Sequence, residues 1–231
     1  MSYEVLCNTG DFVRLKNKMD GDLTPEGLRI ASSEVYIINR HIMIDSGSRM
    51  YAVVLLDTLN ALRIWITHII PTHLHADHLG WPAYFPEATT CIKGEYMDML
   101  EKNPLAVLDY TTGKNKMTVS EDALKLASNL QKFRKKPLEE CVLCEEVDPD
   151  NFGSVIDDRL RYTVVTGHAR FDLVFSYRNY IILGDCLDIF LPEKQASLPS
   201  GKALYKKLRR RQNNLQFFRG HEPWSKIRSK L

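Results

Sequence analysis

The sequence holds no apolar run approaching the ~20 residues of a membrane span, so no transmembrane role is expected. Its opening, MSYEVLCNTGDFVRLKNKMD, lacks a basic stretch followed by an apolar one, and no signal peptide is expected either. Internal repeats at a fixed period and low-complexity linkers are missing, which leaves a single packed domain as the simplest organisation. Cysteine is sparse for a stapled scaffold. The five present, Cys7, Cys91, Cys141, Cys144 and Cys186, form an odd, scattered set in a chain large enough to fold without them. Reduced thiols and a cytoplasmic or nuclear location are therefore expected. The net charge is only +2, with 44% apolar and 26% charged residues, the balance of an ordinary globular protein with a core of its own. Charge is nevertheless uneven along the chain. Ten of the 31 basic residues, but one of the 29 acidic ones, lie from Gly201 onward.

Several β-rich runs can be placed by pattern. EVYIINRHIMIDSG (34–47) reads as two strands broken at Asn39-Arg40 and closed by Asp45-Ser46-Gly47. Residues 51–63 have helical spacing, and RIWITHII then reads as a strand that Pro71 ends. From Gly94 to about Phe133 the pattern is helical, with SEDALKLASNLQKF (120–133) amphipathic, Ser120 as its N-cap and the basic KFRKK (132–136) at its C-terminal end. LRYTVVTGH, FDLVFSY and YIILGD are further strand-like runs, the last two joined by a tight turn at Arg178-Asn179. A basic helix, GKALYKKLRRRQ, and a short strand, LQFF, follow.

Polar residues of one kind recur where these apolar runs end: Asp45, then His73, His75, Asp77 and His78 in IIPTHLHADHLGW, then His168, Asp185 and His221. Imidazole and carboxylate are the ligands of zinc, and alternate residues of an H-x-H-x-D-H loop can face two ions. His73 and His75 with His168 would serve one ion; Asp77 and His78 with His221 would serve a second. Asp185 would bridge the pair, because the two oxygens of one carboxylate can span metals ~3.5–4 Å apart. Positions left over would be open to water, as a catalytic site requires. Alone, His168 or His221 would read as a satisfied core or surface histidine. The clustered run resists that reading, since buried histidines without a metal suffer desolvation and mutual repulsion. Cys141-x-x-Cys144, without a second pair, reads as two thiols in a loop or strand rather than a third metal or redox site.

This ordered set resembles the metallo-β-lactamase superfamily over residues 34–225: Asp45, the H-x-H-x-D-H run, His168, Asp185 and His221 match its five motifs in order. The resemblance implies an α/β fold, an αβ/βα four-layer sandwich of two mixed β-sheets with helices outside and the metals at one edge. It also implies that Asp45 orients the metal loop from outside the ligand set. Residues 1–231 are then one domain, with a helical insertion around 91–160. THLHADHLG and Gly220-His221-Glu222 are similar to glyoxalase II, and Phe85-Pro86-Glu87-Ala88 to lactonases. The nearest resemblance within the superfamily is to the small metallo-β-lactamase domain-containing protein 1 type, assigned to endonucleolytic RNA cleavage. FPEA, GHARFD with its acid at Asp172, and GHEPWSKI carry it. Trp81, in place of a small residue, and the long insertion depart from the pattern and are expected to reshape the pocket.

The expectation is a hydrolase with two divalent metal ions, zinc by preference and manganese or iron tolerated by the mixed ligands, using a bridging hydroxide. Asp77 would orient that nucleophile and pass a proton toward the leaving group. RNA is the expected substrate, because a basic C-terminal stretch beside metals attracts phosphate. An ester, lactone or thioester substrate is the alternative, and a metal-binding protein with a blocked site a second one. No membrane partner is expected, and a homodimer is left open.

Overall fold

The computed structural model describes residues 2–18, 33–48, 51–75, 78–79, 84–102, 133–187, 198–211 and 214–220. Two sheets account for the strands. The first runs β1 (Ser2–Asn8), β2 (Phe12–Lys18), β3 (Glu34–Ile38), β4 (Ile42–Ile44), β5 (His68–Ile70), β6 (Thr89–Ile92) and β7 (Lys135–Pro137) in that spatial order. Its β1 to β4 are antiparallel, and β4 to β7 are parallel. The second holds β12 (Gln216–Phe218), β11 (Tyr180–Ile182), β10 (Asp172–Tyr177), β9 (Arg161–Val165) and β8 (Glu145–Glu146), antiparallel at its centre and parallel at both ends.

The layering follows from the two-residue period of the strands. Every residue of β3 is buried, which requires something to cover each face. Tyr36 and Ile38, with Ile44 and Ile70, point between the sheets and meet Tyr162, Val164, Leu173, Phe175 and Ile182 of the second. Their neighbours Val35, Ile37, Met43 and Ile69 point outward and are covered by Leu55 and Leu59 of α1 (Ala52–Ala61). Val165, Val174 and Ile181, on the far side of the second sheet, are covered by Leu204 and Leu208 of α3 (Gly201–Arg211). One helix therefore lies outside each sheet. The result is the αβ/βα sandwich expected from the sequence. The hairpin at Asn39-Arg40 is built as its length demands, with positive φ at both turn residues, 51° and 62°.

Three expectations are revised. Of RIWITHII only His68–Ile70 joins the sheet: Ile64 and Ile66 are buried but Trp65 is exposed, and Thr67 and His68 both donate backbone N–H groups to His41 O. In the 91–160 segment α2 (Gly94–Lys102) is helical, residues 103–132 lie outside the described residues, and Lys135 and Lys136 pair with Thr90 and Cys91 as an edge strand instead of ending a helix. Lysines on an edge strand block further pairing, a role that a helical reading of KFRKK hides. The described part of the segment thus gives strands to both sheets, through β7 and β8. Finally, Cys91 and Cys141 are joined in a disulfide, which the expectation of five reduced thiols did not foresee. Pairing depends on a 50-residue loop returning to β6, and spacing along the chain cannot report that. Cys186 lies outside this pair, fully buried in the core beneath α3.

Candidate metal centre

The edge of the sandwich where β4, β5, β9 and β11 end collects the polar residues. Asp45 follows β4, Thr72 and His73 follow β5, His168 follows β9, and Asp185 follows β11. Asp45 is fully buried in left-handed backbone at φ 55°, an uncommon conformation for a non-glycine residue. What holds it there is a set of hydrogen bonds. Oδ1 accepts the Thr72 N–H at 2.7 Å, while Oδ2 accepts the Thr72 hydroxyl at 3.0 Å and lies 2.8 Å from His78 Nδ1. With Nδ1 of His78 tied to a carboxylate, Nε2 is directed into the site, 3.4 Å from Asp185 Oδ2. Thr72 Oγ1 lies 3.0 Å from His73 Nδ1 and orients that ring in the same way.

Two overlapping triads result. The ligand atoms of His73, His75 and His168 lie within 4.8 Å of one another, and so do those of His73, His78 and Asp185. Asp185 Oδ2 is 3.4 Å from His78 Nε2 and 3.6 Å from His168 Nε2, so one carboxylate reaches both triads. His75 Nδ1 and His168 Nε2 are 3.0 Å apart. All five side chains are buried. Burial, followed by the neighbouring His78 and His75, holds His73 well below the ordinary imidazole range, in the neutral form that can bind a cation. The donor set fits divalent metals. His73 Nε2 is buried without a hydrogen-bond partner among the described residues, a costly state for an imidazole nitrogen that a cation would relieve.

The surrounding backbone is cut to this arrangement. Asp172, buried, accepts the N–H of His168 at 2.9 Å and of Ala169 at 3.1 Å, so the loop after β9 turns around its carboxylate. Burial pushes its pKa up to about 8 despite those two backbone donors. Leu173 N–H donates to Thr72 O at 2.8 Å and joins the two ligand loops. A Cβ on Gly220 would collide with Asp185 and come within 2.6 Å of His78 Cε1; one on Gly184, at φ 52°, would come within 2.7 Å of Thr72 Oγ1. Residues 219 and 220 are clamped across the sheets. Tyr36 Oη is 2.8 Å from Arg219 O, Glu34 N–H donates to Gly220 O, and Arg14 grips the Glu34 carboxylate with two hydrogen bonds of 2.7 Å.

Of the residues proposed from sequence, His73, His75, His78, His168, Asp185 and Asp45 meet at this edge, whereas Asp77, Trp81 and His221 lie outside the described residues. His73 belongs to both triads, and Asp185, read from sequence as the bridge, lies beside both His78 and His168. Thr72 and Asp172 were not assigned roles from sequence. Their only signals were adjacency to the histidine run and an acid four residues past His168, at the start of a strand.

Residues 32–187 match the profile of the metallo-beta-lactamase superfamily. That span is well over half of the chain, which therefore belongs to the superfamily, whose members are generally metal-dependent hydrolases. No curated protein matches the sequence. Among solved structures the chain is similar to the DIM-1 metallo-beta-lactamase, at 11% identity and a TM-score of 0.55 over 96% of this chain and 91% of that one. A metallo-beta-lactamase from Hirschia baltica gives 11%, 0.54, 96% and 91%. A flavo di-iron protein from Thermotoga maritima gives 15% and 0.51 over 95% of this chain, which spans 57% of that one. At such identities these likenesses show the fold. No helix among the described residues is long and apolar enough to cross a membrane.

Proposed function

We propose that this chain is a two-metal hydrolase that cleaves phosphodiester bonds in RNA. The observation that carries the reading is the placement of Asp185 Oδ2 between two triads that share His73, which suits two adjacent cations linked by one carboxylate. Cations bound there, zinc by preference, would supply water acidified to a pKa near ~7 and neutralise charge developing on the substrate. The chain's own part is positional. His73, His75 and His168 would hold one cation and His78 with Asp185 the other, while Asp45 and Thr72 fix the ring orientations from behind. Asp77 and His221 are the remaining ligands proposed from the H-x-H-x-D-H run and the Gly220-His221 step, and Asp77 is the proposed proton carrier.

Phosphodiester chemistry, rather than carbonyl chemistry, is favoured by charge: ten basic residues against one acidic one lie from Gly201 onward, a sign that attracts phosphate. FPEA, GHARFD and GHEPWSKI, read from sequence as resembling the RNA-cleaving type of the superfamily, favour the same substrate, and Asp172 of GHARFD shapes the ligand loop. Elemental analysis of the purified protein, followed by cleavage of a structured RNA and of lactone and thioester panels beside a His75→Ala control, tests the reading. Roughly two metals per chain and RNA cleavage abolished in the control are expected. Turnover confined to lactones or thioesters would replace RNA by a carbonyl substrate.

A further inference from the structure

We propose that the outer groove along α3 is a docking tract for single-stranded RNA, binding the chain at a distance from the bond that is cut. The inference rests on the reading of the metal centre as an RNA phosphodiesterase and adds where, and by which residues, the remainder of the polymer is held.

Lys202, Tyr205, Lys206, Arg209 and Arg210 of α3, with Leu187 and Arg219, line a groove of about 660 Å³; Lys206 and Arg210 also face a neighbouring concavity of about 420 Å³. Neither has a carboxylate among its described lining residues. Lys202, Lys206 and Arg210 follow one another at four-residue steps, about 6 Å apart along the helix axis. That places a row of positive charge on one face at intervals comparable with successive phosphates of an extended strand. These three side chains are exposed and make no ion pair among the described residues, unlike Lys207, which binds Asp150 and Pro149 O. The row cannot rotate inward, because Leu204 and Leu208 on the opposite face are locked into the core. Tyr205, packed edge-on against Phe217 with Arg209 5.7 Å from its ring centre, offers a fixed aromatic surface within the row.

The groove leads to the metal edge. Leu187 lies two residues after Asp185, Arg219 immediately precedes Gly220, and α3 starts so close to Cys186 that a Cβ on Gly201 would fall 2.6 Å from Cys186 Sγ. An anionic membrane surface suits this helix less well than RNA. A helix lying on lipid inserts an apolar face, whereas the leucines of α3 are buried and none of the exposed large apolar residues among those described is on it.

The test is fluorescence anisotropy with a labelled single-stranded phosphorothioate oligouridylate, which resists cleavage, on the zinc-loaded protein over a range of salt. Lys202→Glu/Lys206→Glu/Arg210→Glu should weaken binding tenfold or more and lower the slope of log affinity against log salt by roughly two. Should the charge reversal unfold the protein, as seen by circular dichroism, Lys202→Gln/Lys206→Gln carries the same test with a slope change of roughly one. Unchanged affinity in a folded variant, or wild-type protein that binds phosphatidylserine vesicles in preference to the oligonucleotide, would overturn the docking tract. The two readings separate cleanly. Groove-dependent binding without RNA cleavage by the wild type leaves the tract standing and removes the ribonuclease; cleavage with groove-independent binding does the reverse.

Discussion

The metal edge and the outer face of α3 both concentrate basic nitrogen, and they differ in what surrounds it. At the edge, four histidines are buried, and the partners of their rings are a threonine hydroxyl, carboxylates and one another, set by the ends of β4, β5, β9 and β11. On α3 the cations stand on flexible stems in water. Burial makes the first group directional and costly to disturb; exposure leaves the second adaptable and screened by salt. Whether a cluster of basic residues suits a cation or an anion thus depends on its dielectric surroundings as well as on its composition.

The comparison breaks most sharply at the residue both triads share. His73→Ala should strip metal from the whole centre and lower hydrolysis by about 10³-fold, whereas charge reversal on α3 should leave metal stoichiometry unchanged; elemental analysis of both variants checks this. Next comes Asp45→Ala, which frees the ring of His78 and the Thr72 turn together. Metal affinity, measured by competition with a chelating dye, should fall by about 10- to 100-fold with the ligands themselves intact.

A smaller effect is expected from packing alone. Gly220→Ala pushes a methyl group against Asp185 and His78, and thermal unfolding should report a loss of about 1–3 kcal/mol together with weakened metal binding. The last prediction concerns Asp172 in metal-free protein. Its folded pKa, about 8, lies above that of an unfolded carboxylate, so between pH ~4 and ~8 the folded state holds the extra proton. Stability should therefore fall as pH rises through that window, by at most about 1.4 kcal/mol per pH unit, and Asp172→Asn should flatten the slope in urea titrations.

What was legible before folding is instructive residue by residue. The β3–β4 hairpin, α1, β9 to β11 and α3 could be read because their apolar period and turn residues are local signals. β7 could not: two lysines and a proline carry no strand pattern, and they become one only because β6 offers an edge. The disulfide from Cys91 to Cys141 was invisible for a related reason, since it depends on where a 50-residue excursion returns.

The sequence by itself determined which donors the site can offer: histidines and aspartates at the ends of apolar runs suit a cation in any arrangement that brings them together, because nitrogen and carboxylate donors buried without one are penalised. Tertiary structure alone decided the grouping. That His73 stands in both triads, and that Asp172 and Thr72 hold the loops, are matters of distances between strand ends that no local pattern encodes. Ligand identity is a property of side chains, whereas coordination geometry belongs to the packed sheets that carry them.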